Sequence, residues 1–328
     1  MINKKPPFEI TNDIINYVAD ISELVGHVVS TKGLSSNPVL RRTNRIRTIY
    51  GSLAIEQNTL SLEQVIAVLN GKKVLAPPKD IEEVKNAYEI YECLDIMNPY
   101  SIDDLLKAHG VMMRGLLEDA GQFREKPAGV VNSKGEIIHF GTLPQYIYGL
   151  MEELMEWTKN SDIHPLIKGC VFHYEFELIH PFLDGNGRIG RLWHTLLLEK
   201  WNPIFAWLPV ESIIHNRQQE YYQAINKSNL SAESTEFILF MLSAIKEALM
   251  ETGNIASTNN LSAKEQKRWQ IVYGYLQENP YITNADVRNI LEVSSATANR
   301  ILGKFTESGL LEKIHVHGHW AYVIKNGR

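Results

Sequence analysis

Apolar residues three and four apart recur along most of the chain, as in IEEVKNAYEIYECLDIM and FILFMLSAIKEAL, and strand-like alternation is scarce. That spacing gathers apolar side chains into one stripe of a helix, so the bulk of the chain is expected to be α-helical. The exception in the first 250 residues is GVVNSKGEIIHF, residues 129–140, where two β-branched runs flank the turn sequence Asn132-Ser133-Lys134-Gly135. It reads as one β-hairpin standing off a helical body. At 328 residues the chain exceeds the comfortable size of one hydrophobic core, so two or three units are expected. After the last long apolar helix, ETGNIASTNNLSA has the composition of a linker, and a boundary is placed at residues 251–261.

Residues 262–328 read differently from the rest. Three helical stretches, KRWQIVYGYLQEN, ITNADVRNILEV and SSATANRILGKFTESGL, precede two strand-like pieces, LEKIHVHG and HWAYVIKN, which is the pattern of a winged helix-turn-helix. Ser294 and Ser295 suit the N-cap of the third helix. If that helix entered a major groove, Arg300, Lys304 and the wing histidines His315, His317 and His319 would lie near phosphates. The alternation in HVHGH puts the three histidines on one strand face. Nine Lys and Arg against six Asp and Glu leave a surplus of only three positive charges, a small footprint for DNA. Protein docking or homodimerisation therefore stands beside DNA binding through residues 262–328.

The net charge of -5 gives the whole molecule no pull toward nucleic acid or an anionic membrane, so any polyanion site must be local. The stretch MINKKPPFEITNDI lacks the apolar segment of a signal peptide, and no run of about 18 apolar residues occurs. A cytoplasmic protein without a membrane partner is expected. Cys93 and Cys170 each sit inside an apolar helical pattern and read as buried thiols rather than a disulfide or metal pair.

The chemistry concentrates in HPFLDGNGRIGR, residues 180–191, which lies between the helical patterns PLIKGCVFHYEFELI and RLWHTLLLEKW. It is a loop ending on a helix N-terminus. Glycines there let backbone N–H groups converge without Cβ obstruction, and the helix end adds unpaired donors and positive potential. Gly185, Asn186 and Gly187 thus make an anion cradle, and Arg188 and Arg191, three apart, can fork onto phosphate oxygens. Two cations at a helix N-terminus oppose the macrodipole, a local cost that an anionic ligand repairs. Asp184 would repel a bare phosphate but suits a magnesium ion shared with one. His180 suits the removal of a proton from a hydroxyl at neutral pH. A Gly-rich loop before a helix is often only a tight connection. A connection, however, does not need a histidine, a carboxylate and two arginines at this spacing, which together point to phosphoryl or nucleotidyl transfer.

HPFLDGNGRIGR resembles the signature of the Fic family, HPFx[D/E]GNGRxxR, and fills every fixed position of it. The stretch LLKAHGVMMRGLLEDAGQFREKPAGV is similar to the family's upstream helix and the approach to its flap, and the hairpin at 129–140 falls where that flap belongs. The resemblance covers roughly residues 8–250. It implies a mainly α fold, a Fic-type helical bundle with one β-hairpin flap followed by a small winged-helix domain. The implied division is an N-terminal helical region at 1–95, a catalytic core at 96–250, the linker and the winged helix. It also implies ATP and Mg2+ as ligands and transfer of AMP to a Ser, Thr or Tyr hydroxyl of a protein. In that scheme His180 is the general base, Asp184 the magnesium ligand, and Gly185, Asn186 and Gly187 hold phosphate oxygens. Arg188 and Arg191 would bind the outer phosphates. The flap residues Val130, Val131, Ile137, Ile138 and His139 would pair with an extended target segment, a strand-addition mode. Some family members carry a lysine in place of the second glycine and phosphorylate instead; Gly187 argues for AMP transfer. EYYQAINKSN is similar to the region where a tyrosine and an asparagine contact adenine, which indicates Tyr222 and Asn229, although aromatic residues at helical spacing also serve as core.

A second stretch, GSLAIEQN at 51–58, resembles the family's inhibitory motif [S/T]xxxE[G/N], with Ser52 and Glu56 in place and Gln57 where Gly or Asn is usual. A glutamate brought against Arg191 would form a charge-assisted pair on the fork that the γ-phosphate needs. On periodicity alone LAIEQNTLSLEQVIAVL reads as strongly helical, with Glu56 on its surface. Removal of AMP from a modified target, self-modification, a Fic-type phosphotransferase, and a nucleotide-sensing DNA regulator or toxin-antitoxin component all stay open at this level.

Overall fold

A computed structural model describes residues 5–30, 38–131, 137–258, 261–316 and 319–324. The chain divides into two compact units, Met1–Ile21 with Arg41–Ala248, and Ser22–Leu40 with Leu249–Arg328. Helices come first: α1 (Asn12–Ser30), α2 (Pro38–Ile55), α3 (Leu62–Leu69), α4 (Pro78–Tyr91) and α5 (Ile102–Met112). A hairpin of β1 (Gly129–Val131) and β2 (Ile137–Phe140) interrupts them. Then follow α6 (Pro144–Asn160), α7 (Pro165–Ile179), α8 (Asn186–Trp201), α9 (Val210–Asn216), α10 (Gln218–Ser231) and α11 (Thr235–Thr258). The fold is mainly α, as the spacing predicts.

At the centre of the first unit lie α7 and α8. Buried residues fall on every side of α7, PLIKGCVFHYEFELI, the mark of a helix enclosed by others. Phe172, Phe176, Ile189, Leu192 and Trp193 from this pair join Leu53 of α2, Tyr91 of α4, Met112 of α5 and Met151 of α6 in one core. The approach of α2 is set by Gly51, where a Cβ would stand 2.7 Å from the Glu211 carbonyl carbon and oxygen. Only glycine permits that backbone contact.

Three expectations change. LAIEQNTLSLEQVIAVL is two helices rather than one: α2 ends at Ile55, and Ser61 opens α3 with a capping box closed by Gln64. Between them Asn58 Nδ2 donates to Asp80 O at 3.1 Å, and both the backbone N–H and the hydroxyl of Thr59 donate to Asp80 Oδ2. Short polar side chains thus offer the backbone an alternative to the helix ladder. The linker at 251–261 is helical as far as Thr258. One interior glycine costs only about 1 kcal/mol, and extending an existing helix needs no new nucleus. Residues 259 and 260 lie outside the described residues. Of the two thiols, Cys170 is buried but Cys93 is partly exposed.

The hairpin pairs Gly129 with Phe140, Val130 with His139 and Val131 with Ile137, so one extra residue bulges between the last two pairs. Its turn, residues 132–136, lies outside the described residues.

In the second unit α12 (Ala263–Glu278), α13 (Asn284–Leu291) and α14 (Ser295–Glu307) precede β3 (Leu311–Val316) and β4 (His319–Ile324). Trp269, Val272, Val287, Ile301, Leu302 and Phe305 form their shared core. Ser294 caps α14, accepting from Thr297 N. Asn284 staples the turn before α14, donating to Ser295 O at 3.0 Å and to Asn299 Oδ1 at 2.7 Å. Ile282 adds a third strand position through two 2.8 Å bonds with Tyr322. The wing histidines do not share a strand: His315 is on β3, and His319 opens β4 opposite Val316. His317 lies outside the described residues.

Candidate functional site

The helix α7 ends where Pro181 disfavours a further helical residue before it. His180 caps it in the left-handed conformation, φ 53°, with its N–H donating to Phe176 O at 2.9 Å. Beyond it the loop is folded on itself. Asn186 spends its side chain on the loop, accepting from Phe182 N and donating to Phe182 O, each at 2.9 Å. That side chain is therefore committed to the loop, and only the backbone N–H of Asn186 is left to meet a ligand. Asp184 Oδ1 accepts from Gly185 N at 2.6 Å and from Arg188 Nη2 at 3.1 Å, and its side chain is half-exposed. The other carboxylate oxygen keeps the open coordination that a cation shared with a phosphate requires.

Two residues outside the signature hold this loop. His109 accepts from Gly121 N at Nδ1, 2.8 Å, so Nε2 carries the proton and donates to Asp184 O at 3.0 Å. Its ring stacks on Phe182 with centroids 3.7 Å apart, and burial pushes its pKa down to about 4. The neutral imidazole is thereby fixed in one tautomer. Arg124 Nε donates to His180 O at 2.7 Å.

Gly185, the N-cap of α8 at φ 84°, offers no capping side chain. The N–H groups of Asn186, Gly187 and Arg188 consequently have neither an intrahelical acceptor nor a side-chain cap. Here the chain supplies an anion of its own. Glu56 Oε1 stands 2.7 Å from Arg191 Nη2, and a Cβ added at Gly187 would overlap that same oxygen. Arg191 also donates from Nε to Ser52 Oγ at 3.2 Å and from Nη2 to Ser52 O at 2.9 Å. Burial works against the Arg191 charge, but Glu56, Tyr221 and Glu177 around it more than reverse this and raise its pKa. Ser52, Glu56, Gly187 and Arg191 are thus brought together.

Glu56 is the C-cap of α2 rather than a surface position within a helix. Asn58 N reaches Leu53 O at 3.1 Å and Gln57 N reaches Ala54 O at 3.0 Å, the pair of bonds of a Schellman ending. The left-handed position of that ending is Gln57, φ 66°. The departure from Gly or Asn therefore falls where the backbone favours them.

Arg188 is held differently from Arg191. Its guanidinium is buried, with Nη1 3.1 Å from Glu83 Oε1 on α4. Glu83 Oε2 in turn accepts from Asn58 Nδ2 at 2.8 Å. Glu83 was not singled out by the sequence: it is one of five acids on α4 and its flank, DIEEVKNAYEIYE, with nothing to distinguish it. His109 and Arg124 lie in the stretch that resembles the flap approach, but no spacing rule marks them.

Behind Arg191, Glu177 Oε1 lies 3.9 Å from His173 Nε2, which also meets Tyr221 Oη at 3.2 Å. Burial raises the Glu177 pKa to about 7 against the pull of Arg191, and Glu56 adds to the rise. Tyr222 is half-exposed on α10, and Asn229, two turns on, accepts from Tyr174 Oη at 2.9 Å. Asn229, Tyr174, Ile179 and Thr142 line a cavity of about 380 Å³.

Residues 99–198 match the Fic/DOC family, and residues 270–312 match a family described as winged helix-turn-helix, DNA-binding. A solved structure of a Fic family protein from Desulfovibrio desulfuricans G20 is similar over 99% of each chain, with 37% identity and a TM-score of 0.75. Protein adenylyltransferase fic-1 of Caenorhabditis elegans is 28% identical over 234 residues, 67% of this chain and 43% of that protein. Protein adenylyltransferase Fic of Nematostella vectensis is 28% identical over 193 residues, 55% and 42%. The chain spans less than half the length of these curated relatives. With a likeness that covers 99% of each chain at 37% identity to a solved Fic family protein, the chain belongs to the Fic family.

Proposed function

We propose that the chain is a protein adenylyltransferase that moves AMP from ATP to a protein hydroxyl, releasing pyrophosphate, and is held back by Glu56. One observation carries the reading: the cradle formed by Gly187 and the buried Arg191 already receives a carboxylate, that of Glu56. A receptor shaped for an oxyanion and filled by the chain's own acid is what an inhibited phosphate site looks like. The relatives named protein adenylyltransferase support the choice of nucleotide transfer.

In this reading the N–H groups of Asn186, Gly187 and Arg188 orient the phosphates, and Arg191, once released by Glu56, clamps the outermost one. Arg188 acts mainly through Asp184, whose carboxylate it holds. Asp184 would hold a magnesium ion, which when bound neutralises phosphate charge at the reacting centre. His180 takes the proton of the acceptor hydroxyl, and the backbone of Val130, Val131, Ile137, Ile138 and His139 docks the acceptor segment. Tyr222 and Asn229 flank the adenine. Gly187 also bears on the alternative of phosphate transfer, because any side chain there would overlap Glu56.

Wild type, Glu56→Gly and Glu56→Gly/His180→Ala are incubated with magnesium and ATP labelled on the α- or the γ-phosphate. Strong α-label is expected only on Glu56→Gly, falling about 10²- to 10⁴-fold when His180 is also removed. Undiminished transfer in the double variant removes His180 from the mechanism. A nucleotide-responsive DNA regulator is the second reading, favoured by the match of residues 270–312 and by Arg300 and Lys304 on the exposed side of α14. In that case no variant acquires label while ATP still binds.

A further inference from the structure

Arg124, on the approach to the hairpin, is buried to 3% exposure, yet among the described residues every acceptor bonded to its guanidinium is a backbone carbonyl. Nε donates to His180 O at 2.7 Å, Nη1 to Lys126 O at 2.9 Å, and Nη2 to Thr142 O at 2.5 Å and Ile179 O at 3.5 Å. The backbone adds Arg124 N to Pro181 O at 3.0 Å, Thr142 N to Ile179 O at 3.2 Å and Gly141 N to Ala128 O at 3.0 Å.

These acceptors fall into two groups. Ile179 and His180 end α7, where carbonyls lack intrahelical donors and a cation is favoured by the dipole. Lys126 and Thr142 lie on the two sides of the β1–β2 hairpin, at its roots. One planar fork of five N–H donors therefore ties the peptide of the base to both ends of the hairpin. The space around it is committed: a Cβ at Gly141 would come within 2.7 Å of Arg124 Nη2 and 3.2 Å of His180 Cβ. Its partner His180 is in a left-handed conformation that persists only when its surroundings hold it.

We propose that Arg124 is a positioning residue: through His180 O, Lys126 O and Thr142 O it keeps the base and the acceptor-docking hairpin in one register. The proposal rests on the AMP-transfer reading. It differs from a fold-stabilising role in what it leaves alone, because among the described residues none of the Arg124 hydrogen bonds reaches Gly187 or Arg191.

The test uses the full chain with Glu56→Gly as parent and adds Arg124→Gln, Arg124→Lys or Arg124→Ala. Single-turnover self-labelling from α-labelled ATP is expected to fall about 100-fold in Arg124→Gln, the scale of a misplacement near 1 Å. Affinity for magnesium-ATP, read by calorimetry, is expected to fall by far less than the labelling rate, because the cradle is untouched even though Thr142 and Ile179 also line the cavity beside Asn229. Arg124→Lys keeps the charge but not the fork and recovers only part of the rate. Guanidinium ion added to Arg124→Ala restores labelling where ammonium does not. Hydrogen exchange is expected to speed up at the His180, Gly141 and Thr142 amides while α12 to α14 stay protected. Labelling at the parent's rate in Arg124→Gln, or joint loss of ATP binding and labelling, overturns the proposal. A parent that never labels sinks the AMP-transfer reading instead. The exchange arm then decides alone: selective loss at those three amides supports the coupling, and parental protection there overturns it.

Discussion

Arg188 and Arg191 stand about one turn apart on α8 and are almost equally buried, yet the carboxylates that meet them live in different places. Glu83, opposite Arg188, is itself enclosed at 5% exposure; Glu56, opposite Arg191, is 30% exposed and sits on a helix end. An enclosed ion pair adds little net stability compared with a good apolar packing, but removing one partner strands a charge in low dielectric. A pair with one partner at the surface can exchange that partner for another anion, with water covering the interval. The first arrangement suits a fixed floor of the site; in the proposed reading the second is a latch at its mouth, for which a phosphate oxygen competes.

Breaking each pair in turn should separate the two roles most strongly. Glu83→Ala is expected to lower stability by about 3–5 kcal/mol, since among the described residues Arg188 keeps only the half-exposed Asp184 and Asn58 keeps only Asp80 O. Glu83→Gln, which keeps one acceptor oxygen but turns an NH2 toward the other donor, should recover only part of that. For Glu56→Gly the loss is expected at about 1–2 kcal/mol, a charged hydrogen bond less the benefit of taking an acid off a helix C-terminus. Urea unfolding of the three variants measures this. Equal losses for Glu83→Ala and Glu56→Gly would remove the distinction between floor and latch.

The same contrast governs what the sequence could reveal. The loop is legible because its determinants lie within twelve residues: Pro181 ends α7, Gly185 supplies the positive φ, and Asn186 bonds back to Phe182. The hairpin and the winged helix are legible for the same local reason, through β-branched runs and caps. Glu83 meets Arg188 across 105 positions and Arg124 meets His180 across 56, and periodicity holds no information at that range. Glu56 crosses 135 positions to reach Arg191, and only the resemblance to an inhibitory motif brought it forward. The run of α11 on to Thr258 is hidden for the opposite reason: the composition there favours a loop, but propagation carries the helix on.

A smaller effect sharpens the comparison through pH. Burial holds Glu177 protonated up to about pH 7, with Glu56 adding to the rise and Arg191 opposing it. Because its folded pKa lies above the unfolded value of about 4.3, the unfolded chain binds fewer protons between these values. Stability from Glu177 is therefore present below that window and lost as pH rises through it. His109, His194 and His173, all lowered by burial, act in the opposite direction over part of the range, so the informative quantity is the difference between variants. Removing Glu56 takes away a like charge and leaves Arg191 to Glu177, which lowers the Glu177 pKa and shrinks its loss. Glu56→Gly should gain on wild type by about 1 kcal/mol between pH 5 and pH 8, one pKa unit being 1.36 kcal/mol. A difference between the two proteins that does not change with pH would mean that Glu177 does not sense the latch.

The finest test lies at the residue after Glu56. Gln57 holds a left-handed conformation that costs an L side chain about 1–2 kcal/mol, against about 0.5–1 kcal/mol that glycine forfeits in chain entropy. Gln57→Gly should therefore stabilise the protein by about 0.5–1 kcal/mol, read as a rise in urea midpoint. Gln57→Ala, which keeps the steric conflict, serves as the control and should gain nothing. The gain falls on the Schellman ending that aims Glu56 at Arg191, so a firmer turn should also lower the wild-type rate of α-label transfer by about two- to fivefold, in proportion to the energy added. The stability gain with no change in rate would mean that the turn orders itself without aiming Glu56, and that Ser52 and Arg191 alone hold the latch. No gain at all would mean that Gln57 already recovers its strain through contacts of its side chain, and the departure from the family's motif would then be neutral here.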